Sequence, residues 1–388
     1  MHVVVLGAGY AGLVLTRLLE RDLPAETDIT LVNESPDHLV QHELHRVIRR
    51  PELTAAITVS LPQVVDRAAV RVARVEGIDQ DERTVSLSSG SLSYDVAAVC
   101  LGARTAYYGL EGVREHATPL KRLSHANRIR AGALEALWSE DPQFVVGGAG
   151  LSGVQVAGEL AALACEENSE ATVTLLEQLE RVAPNFPADF QRAVRDALED
   201  RGVDVRTGAT ISRADDAAVS LESGDRVHYD QFVWTGGIRG GDVLGGERPT
   251  VESDLRLDDR TFALGDAVRV TDATGEPVPA SAQSAVREAR TVAENVSRIV
   301  EADGGDGDPE LGGSDPLLEP FTFDSPGWAV SVGDEAVATI GSRVVTGRAA
   351  TALKATIGAG YLSAVGNAGN ALGFVYRDLV ADRVRRQR

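Results

Sequence analysis

Hydrophobic and polar positions along the chain follow two periods, and their order predicts a repeated α/β architecture. Residues 2–6 (HVVVL) form a continuous apolar, β-branched run, as expected of a parallel strand buried on both faces. A helical period follows over residues 13–21, and residues 28–32 (DITLV) predict a second buried strand. Residues 71–75 and 84–87 predict short strands separated by 79–82. Gly90 predicts a turn, and residues 96–101 predict a third buried strand closing on Gly102. A helix over 124–138 ends at Asp141-Pro142, and the opening pattern then repeats: strand 144–147, helix 154–166, strand 171–176. Residues 202–206, 218–221 and 232–235 continue this second unit, and 261–267 predict a strand running into Gly265-Asp266. Residues 280–300 predict a long amphipathic helix whose polar face carries Arg287, Glu288, Arg290, Glu294 and Arg298. An acidic Gly/Pro linker (301–320) leads to hairpin strands at 321–323, 328–332 and 336–340. Residues 345–388 are small and apolar, and end in Arg383, Arg385, Arg386 and Arg388.

Between the first strand and its helix stands Gly7-Ala8-Gly9-Tyr10-Ala11-Gly12, a G-x-G-x-x-G. In that setting Gly7 allows the tight turn, Gly9 lets backbone approach a pyrophosphate, and Gly12 lets helix and strand pack closely. The diphosphate would sit on the helix N-terminus, where free N–H groups and the macrodipole favour anions. Asn33-Glu34 ends the second strand and places a carboxylate about 20 residues past the last glycine, as a ribose partner requires. Gly148-Ala149-Gly150-Leu151-Ser152-Gly153 repeats the motif, with Glu177 at the end of its second strand. Two copies in one chain predict two dinucleotides in two similar domains. Glu177 favours NAD(H) over NADP(H), although Arg181 is near. Gly102 closes a strand where backbone would lie against a cofactor. Gly265-Asp266 is either an ordinary turn or a carboxylate aimed at a hydroxyl-rich chain. Three histidines at 38, 42 and 45 mark a loop and helix start close to a ligand, with a metal cluster as the alternative.

The charge balance changes the picture in one respect. Acids number 58 against 38 bases, for a net charge of −20, and only Lys121 and Lys354 are lysines. This suits a folded protein in high salt, where self-repulsion is screened, and argues against nucleic-acid binding, which needs a basic footprint. Cys100 and Cys165 form no C-x-x-C. A disulfide framework, zinc site or dithiol centre is therefore disfavoured, and both are expected to be inert core residues. No signal peptide and no apolar run of ~18 residues is read, so the expected location is cytoplasmic. The basic, apolar C-terminal stretch fits either a peripheral membrane contact or a dimer or domain contact.

With these pieces the chain resembles the type II NADH dehydrogenases, FAD enzymes of the two-dinucleotide-domain flavoprotein superfamily. The resemblance covers nearly the full length. It is carried by GAGYAG at Gly7, HLVQHEL at His38, VCLGARTAYYGLEGVREHATPLK from Val99 and GAGLSGVQVAGEL from Gly148. LLEQLERVAPNFP from Leu175, WTGGIRG from Trp234, FALGDA from Phe262 and PASAQSA from Pro279 add to it. It implies an α/β fold with two Rossmann-like dinucleotide-binding domains plus a C-terminal β-hairpin/helical region. The FAD domain would be discontinuous (1–112 and 241–302), with the NAD(H) domain (113–240) inserted, a linker at 303–320 and an interface or membrane-associated region at 321–388.

Carried over by position, the resemblance puts FAD on Gly7, Gly9 and Gly12, with Glu34 or its neighbour Asn33 on the adenosine ribose and Asp266, after Gly265, on the ribitol. NADH takes Gly148, Gly150, Gly153 and Glu177, and Gly236 and Gly237 line the nicotinamide side. Two departures stand out. Gln155 replaces the first glutamate of G-V-E-L-A-G-E-L, while Glu159 is retained. The quinone motif A-Q-x-A-x-Q reads Ala282-Gln283-Ser284-Ala285-Val286-Arg287. Gln283, Arg287, Gln155 and Glu159 are thus the catalytic candidates, and no metal is assigned. The implied activity is non-proton-pumping electron transfer from NADH through flavin to a quinone. A soluble NAD(P)H-dependent flavin reductase with another acceptor and a low-turnover redox sensor are the alternatives.

Overall fold

The computed structural model describes residues 1–304 and 316–365. Two five-stranded parallel sheets organise it. The first begins with β1 (His2–Leu6), crosses over through helix α1 (Tyr10–Asp22) to β2 (Asp28–Asn33), and continues through β3 (Ala69–Val72) to β4 (Val96–Val99). Val3, Val4, Val5 and Leu6 are fully buried, which is why this run is apolar without alternation. The second sheet repeats the plan: β5 (Gln143–Gly147), helix α2 (Leu151–Glu166), β6 (Thr172–Leu176), β7 (Val203–Arg206) and β8 (Gln231–Trp234), with the two residues Thr118–Pro119 as its fifth strand beside β8. The chain then returns to the first sheet with β9 (Thr261–Ala263), which pairs parallel to β4, and packs helix α3 (Ala282–Gly304) along α1.

In each sheet the fingerprint strand lies between the strand that follows it and one reached by crossing to the other side: β1 between β2 and β4, β5 between β6 and β8. That is the switch point at which open parallel sheets bind ligands, beyond the carboxyl ends of the strands. An antiparallel unit follows, β10 (Ala329–Val332), β11 (Glu335–Ile340) and β12 (Arg343–Thr346), with helix α4 (Gly347–Ala364) packed against it.

Several elements differ from the sequence pattern. Both fingerprint helices start earlier than their apolar stripes, because Gly9 and Gly150 themselves occupy the N-cap positions. Residues 71–75 split between β3 and a separate antiparallel meander (Val75–Asp79, Thr84–Leu87, Gly90–Ser93), so Gly90 opens a strand instead of a turn. Residues 321–323 form no strand. Phe321 is buried, and its backbone bonds to Ser253 and Ala273. β12 was not expected. Helix α3 runs to Gly304, past the expected start of the linker, and Arg260 pairs with Asp303 near its end. Glu288 is not on a polar face: it is only 2% exposed. Cys100 is buried as expected, but Cys165 is exposed. Residues 305–315 of the linker and the arginine-rich end at 366–388 lie outside the described residues.

Candidate functional site

The two glycine motifs have matching geometry. Gly7 and Gly148 take left-handed φ values of 100° and 94°, open to glycine at little cost. A Cβ on Gly12 would lie 1.8 Å from the Gly7 carbonyl oxygen, and one on Gly153 would lie 1.8 Å from that of Gly148. Both third glycines therefore let a helix sit directly on its turn. Gly9 and Gly150 instead face open space. Neither α1 nor α2 has a side-chain cap, so the first amides of each are left for a ligand. Those open glycines and uncapped amides fit a diphosphate at each sheet.

The second-strand residues anchor these loops. In the second sheet the Glu177 carboxylate accepts the Ala149 N–H at 2.7 Å and the Leu179 N–H at 2.9 Å. In the first, Asn33 Oδ1 accepts the Ala8 N–H at 2.9 Å, while Asn33 Nδ2 donates to the carbonyls of Ser35 and Asp37. Asn33, not Glu34, is thus the structural counterpart of Glu177. Glu34 points outward and pairs with Arg122 at 3.1 Å.

Gly265 and Asp266 form a short 3-10 turn after β9, brought against the first fingerprint: a Cβ on Gly265 would lie 3.4 Å from that of Ala11. The Asp266 carboxylate takes no hydrogen bond from the described residues, and Tyr10 and Lys121 face it. Burial pushes the Lys121 ammonium below its usual range, partly offset by Asp266. Gly102 follows β4 in a left-handed conformation (φ 65°) with open space before it.

On the other sheet, Gly236 lies against Gly148, where a Cβ would come within 2.7 Å of the Gly236 Cα. The Tyr108 hydroxyl covers Gly237. Gln155 is half-buried on α2. Glu159, one turn further, is 1% exposed and bonds Arg49 at 2.7 Å; Arg49 also reaches Glu166 (3.1 Å) and Asp334 (2.6 Å). Arg49, which caps residues 41–48 of the first unit, therefore ties that segment to α2 through Glu159 and Glu166 and to the turn between β10 and β11 through Asp334. Gln283 and Arg287 come together one turn apart near the start of α3. Arg287 Nη1 donates to the Gln283 carbonyl at 3.2 Å, and the Gln283 side-chain oxygen accepts from Ser325 at 3.1 Å.

The histidines serve hydrogen bonds. His38 spans Ala8 and Tyr361, and His42 Nδ1 lies 2.5 Å from the Tyr10 hydroxyl. Glu43, 1% exposed, pairs with Lys354 at 2.9 Å and Arg46 at 3.1 Å. Burial raises its pKa, but Lys354, Arg46 and His42 outweigh this and hold the carboxyl well below its ordinary range. Lys121 and Lys354, the two lysines of the chain, thus both lie at buried junctions. That rarity was a signal in the sequence, whereas nothing there marked Arg248 or Glu288, which hold the Gly265-Asp266 turn.

Two switch-point fingerprints in two parallel sheets, the first closed by a returning Gly-Asp turn, define an α/β protein built to hold two dinucleotides. The chain belongs to the pyridine nucleotide-disulphide oxidoreductase family, whose model matches residues 1–289. It is 26% identical to a type II NADH:quinone oxidoreductase of Staphylococcus aureus over 402 residues, covering 95% of this chain and 97% of that protein. It is equally 26% identical to the Staphylococcus epidermidis protein of that name over 388 residues, covering 92% and 93%. Its fold matches the structure of NDH2 from Plasmodium falciparum in complex with NADH, with a TM-score of 0.82, 13% identity and 97% of both chains covered.

Proposed function

We propose that the chain is an FAD-dependent NADH dehydrogenase that passes a hydride from NADH to flavin and then electrons to a quinone. The observation that carries the reading is the duplication itself. Two diphosphate-ready loops lie on one chain, and the first is joined by a carboxylate, Asp266, that accepts no hydrogen bond from the described residues. The relatives named as type II NADH:quinone oxidoreductases support the choice of donor and acceptor. FAD, when bound, supplies the two-electron relay between nicotinamide and quinone.

In this reading residues 1–112 and 241–302 form the FAD unit and 113–240 the NAD(H) unit. Gly7, Gly9, Gly12, Asn33, Gly102, Gly265 and Asp266 hold FAD. Gly148, Gly150, Gly153 and Glu177 hold NADH, with Gly236, Gly237 and Gln155 toward the nicotinamide. The protein's contribution is positioning and electrostatics, with no nucleophile required. Gln283 and Arg287 face the acceptor, and Arg287 offers a fixed cation for reduced-quinone charge. Glu159, engaged by Arg49, fixes the seating of α2. No helix among the described residues is long and apolar enough to cross a membrane. Ile340 and Ile357, both more than half exposed, give the C-terminal unit a surface for peripheral contact.

The test is anaerobic, on FAD-loaded protein in strong salt. NADH is expected to bleach the flavin absorbance, and a short-chain quinone to restore it. Bleaching without return would remove the quinone and favour a reductase with another acceptor, the reading that Arg287 in a glutamine position supports. No bleaching by NADH or NADPH would overturn both.

A further inference from the structure

Glu288 is a buried acid that the proposed mechanism does not use. It follows Arg287 on α3 and is 2% exposed, in a helix whose other buried side chains are mostly apolar. Its Oε2 accepts the Gly265 N–H at 2.6 Å. From another element, Arg248 donates to the Asp266 carbonyl at 2.8 Å and the Val268 carbonyl at 2.5 Å. The turn that presents Asp266 is therefore pinned through one amide and two carbonyls by side chains of opposite charge.

A neutral amide at 288 would accept the Gly265 N–H as well and avoid the cost of a buried ionisable group. A carboxyl in that seat adds a charge that can be switched by a proton. The titratable and charged groups facing it are Asp266 and Arg248, with the Cys100 thiol beyond β4 and Tyr10 and Lys121 facing Asp266 in turn. Burial, reinforced by Asp266 and opposed by the Gly265 amide and Arg248, moves the Glu288 carboxyl up to about 7. Its charge thus changes within the physiological range.

We propose that Glu288 is a positioning residue of the flavin pocket. It fixes the Gly265–Asp266 turn through its carboxyl oxygen, and when it loses its proton it makes the bound flavin harder to reduce. The inference rests on FAD occupying the first site. Because Glu288 and the acceptor-side pair Gln283 and Arg287 share one rigid helix, it also ties the acceptor side to the flavin side.

The experiment compares FAD-loaded wild type, Glu288→Gln and Glu288→Ala, reading FAD dissociation by flavin fluorescence and the flavin midpoint potential at pH 6 and pH 8.5. Loss of the acceptor in Glu288→Ala is expected to weaken FAD binding about tenfold, the scale of one hydrogen bond. Glu288→Gln keeps an acceptor and should bind FAD within about twofold of wild type on the same scale. At pH 8.5 the Gln variant should have the higher potential, with an oxidised-to-reduced ratio shifted about tenfold, or ~30 mV for a two-electron couple. At pH 6 the two potentials should converge. Unchanged FAD binding in Glu288→Ala overturns the positioning role. Potentials of wild type and Glu288→Gln that coincide at both pH values overturn the charge role, whether or not Glu288→Ala folds. Failure of the wild-type chain to take up FAD would overturn the functional reading itself, a result no variant comparison can imitate.

Discussion

Tyr361 donates its hydroxyl hydrogen bond to Nε2 of His38 at 2.9 Å. The direction follows from the ring's other nitrogen, Nδ1, which lies 2.8 Å from the Ala8 carbonyl and must carry the proton. Ala8 belongs to the first fingerprint loop, so the last described helix is tied to that loop through one imidazole. Tyr361→Phe leaves a buried acceptor without a donor, at a cost of about 1–3 kcal/mol. Hydrogen exchange across α4 should speed up about fivefold or more, on the factor that ~1 kcal/mol carries. Unchanged exchange there would show that the contact does not hold the helix.

The same imidazole predicts a pH dependence. Burial, only partly opposed by the Ala8 carbonyl, lowers the His38 pKa to about 4, against 6.5 for an exposed histidine. The unfolded chain therefore binds the extra proton first. Stability from this group is fully present above pH 6.5 and is lost as pH falls through 4, by up to about 3 kcal/mol. Urea unfolding of wild type and His38→Gln across that window should give a shallower acid slope for the variant. Parallel slopes would remove His38 from the account.

Arg49 joins three carboxylates from two parts of the chain. Burial pushes the Glu159 carboxyl up, and Arg49 is the main cation opposing it. Arg49→Ala strands Glu159 in the interior without its hydrogen-bonded cation, and the expected loss of stability is about 3–5 kcal/mol. Arg49→Lys should recover little, because a single ammonium cannot reproduce a fork that meets Glu159, Glu166 and Asp334 together. A lysine variant with a wild-type urea midpoint would argue that the network contributes little.

These relationships show where the sequence was legible. Strand, glycines, helix and second strand are local patterns, and each of the two units could be read from about 35 contiguous residues. The return of Thr261–Ala263 to the first sheet was available only through the family resemblance, since pairing with Val96–Val99 leaves no periodic trace. Glu288 was misread because a helical wheel sees polarity, not the backbone amide of Gly265 that makes a buried carboxyl tenable. Cys165 was misread for a related reason. Apolar composition marks α2 as buried overall but does not say which side of its last turn faces solvent. The Arg49 cluster and the Tyr361–His38 contact, joining residues more than 100 apart, had no signal of either kind.

The sequence left open which residue of the first unit stands where Glu177 does in the second. Asn33 accepts the Ala8 N–H as Glu177 accepts the Ala149 N–H, so the loop anchor is in the same place in both units, an amide in the first and an acid in the second. Glu34 is exposed and pairs with Arg122, a surface pair worth about 0–1 kcal/mol. Asn33→Ala should therefore weaken FAD retention about tenfold, the value of one lost hydrogen bond, while Glu34→Ala should leave it nearly unchanged. Asn33→Asp keeps the acceptor but forfeits the donations to Ser35 and Asp37, and should fall between the two. Flavin fluorescence on dilution reads all three. If Glu34→Ala releases FAD as readily as Asn33→Ala, the ribose carboxylate has moved one residue along the chain, and the likeness between Asn33 and Glu177 ends at the loop.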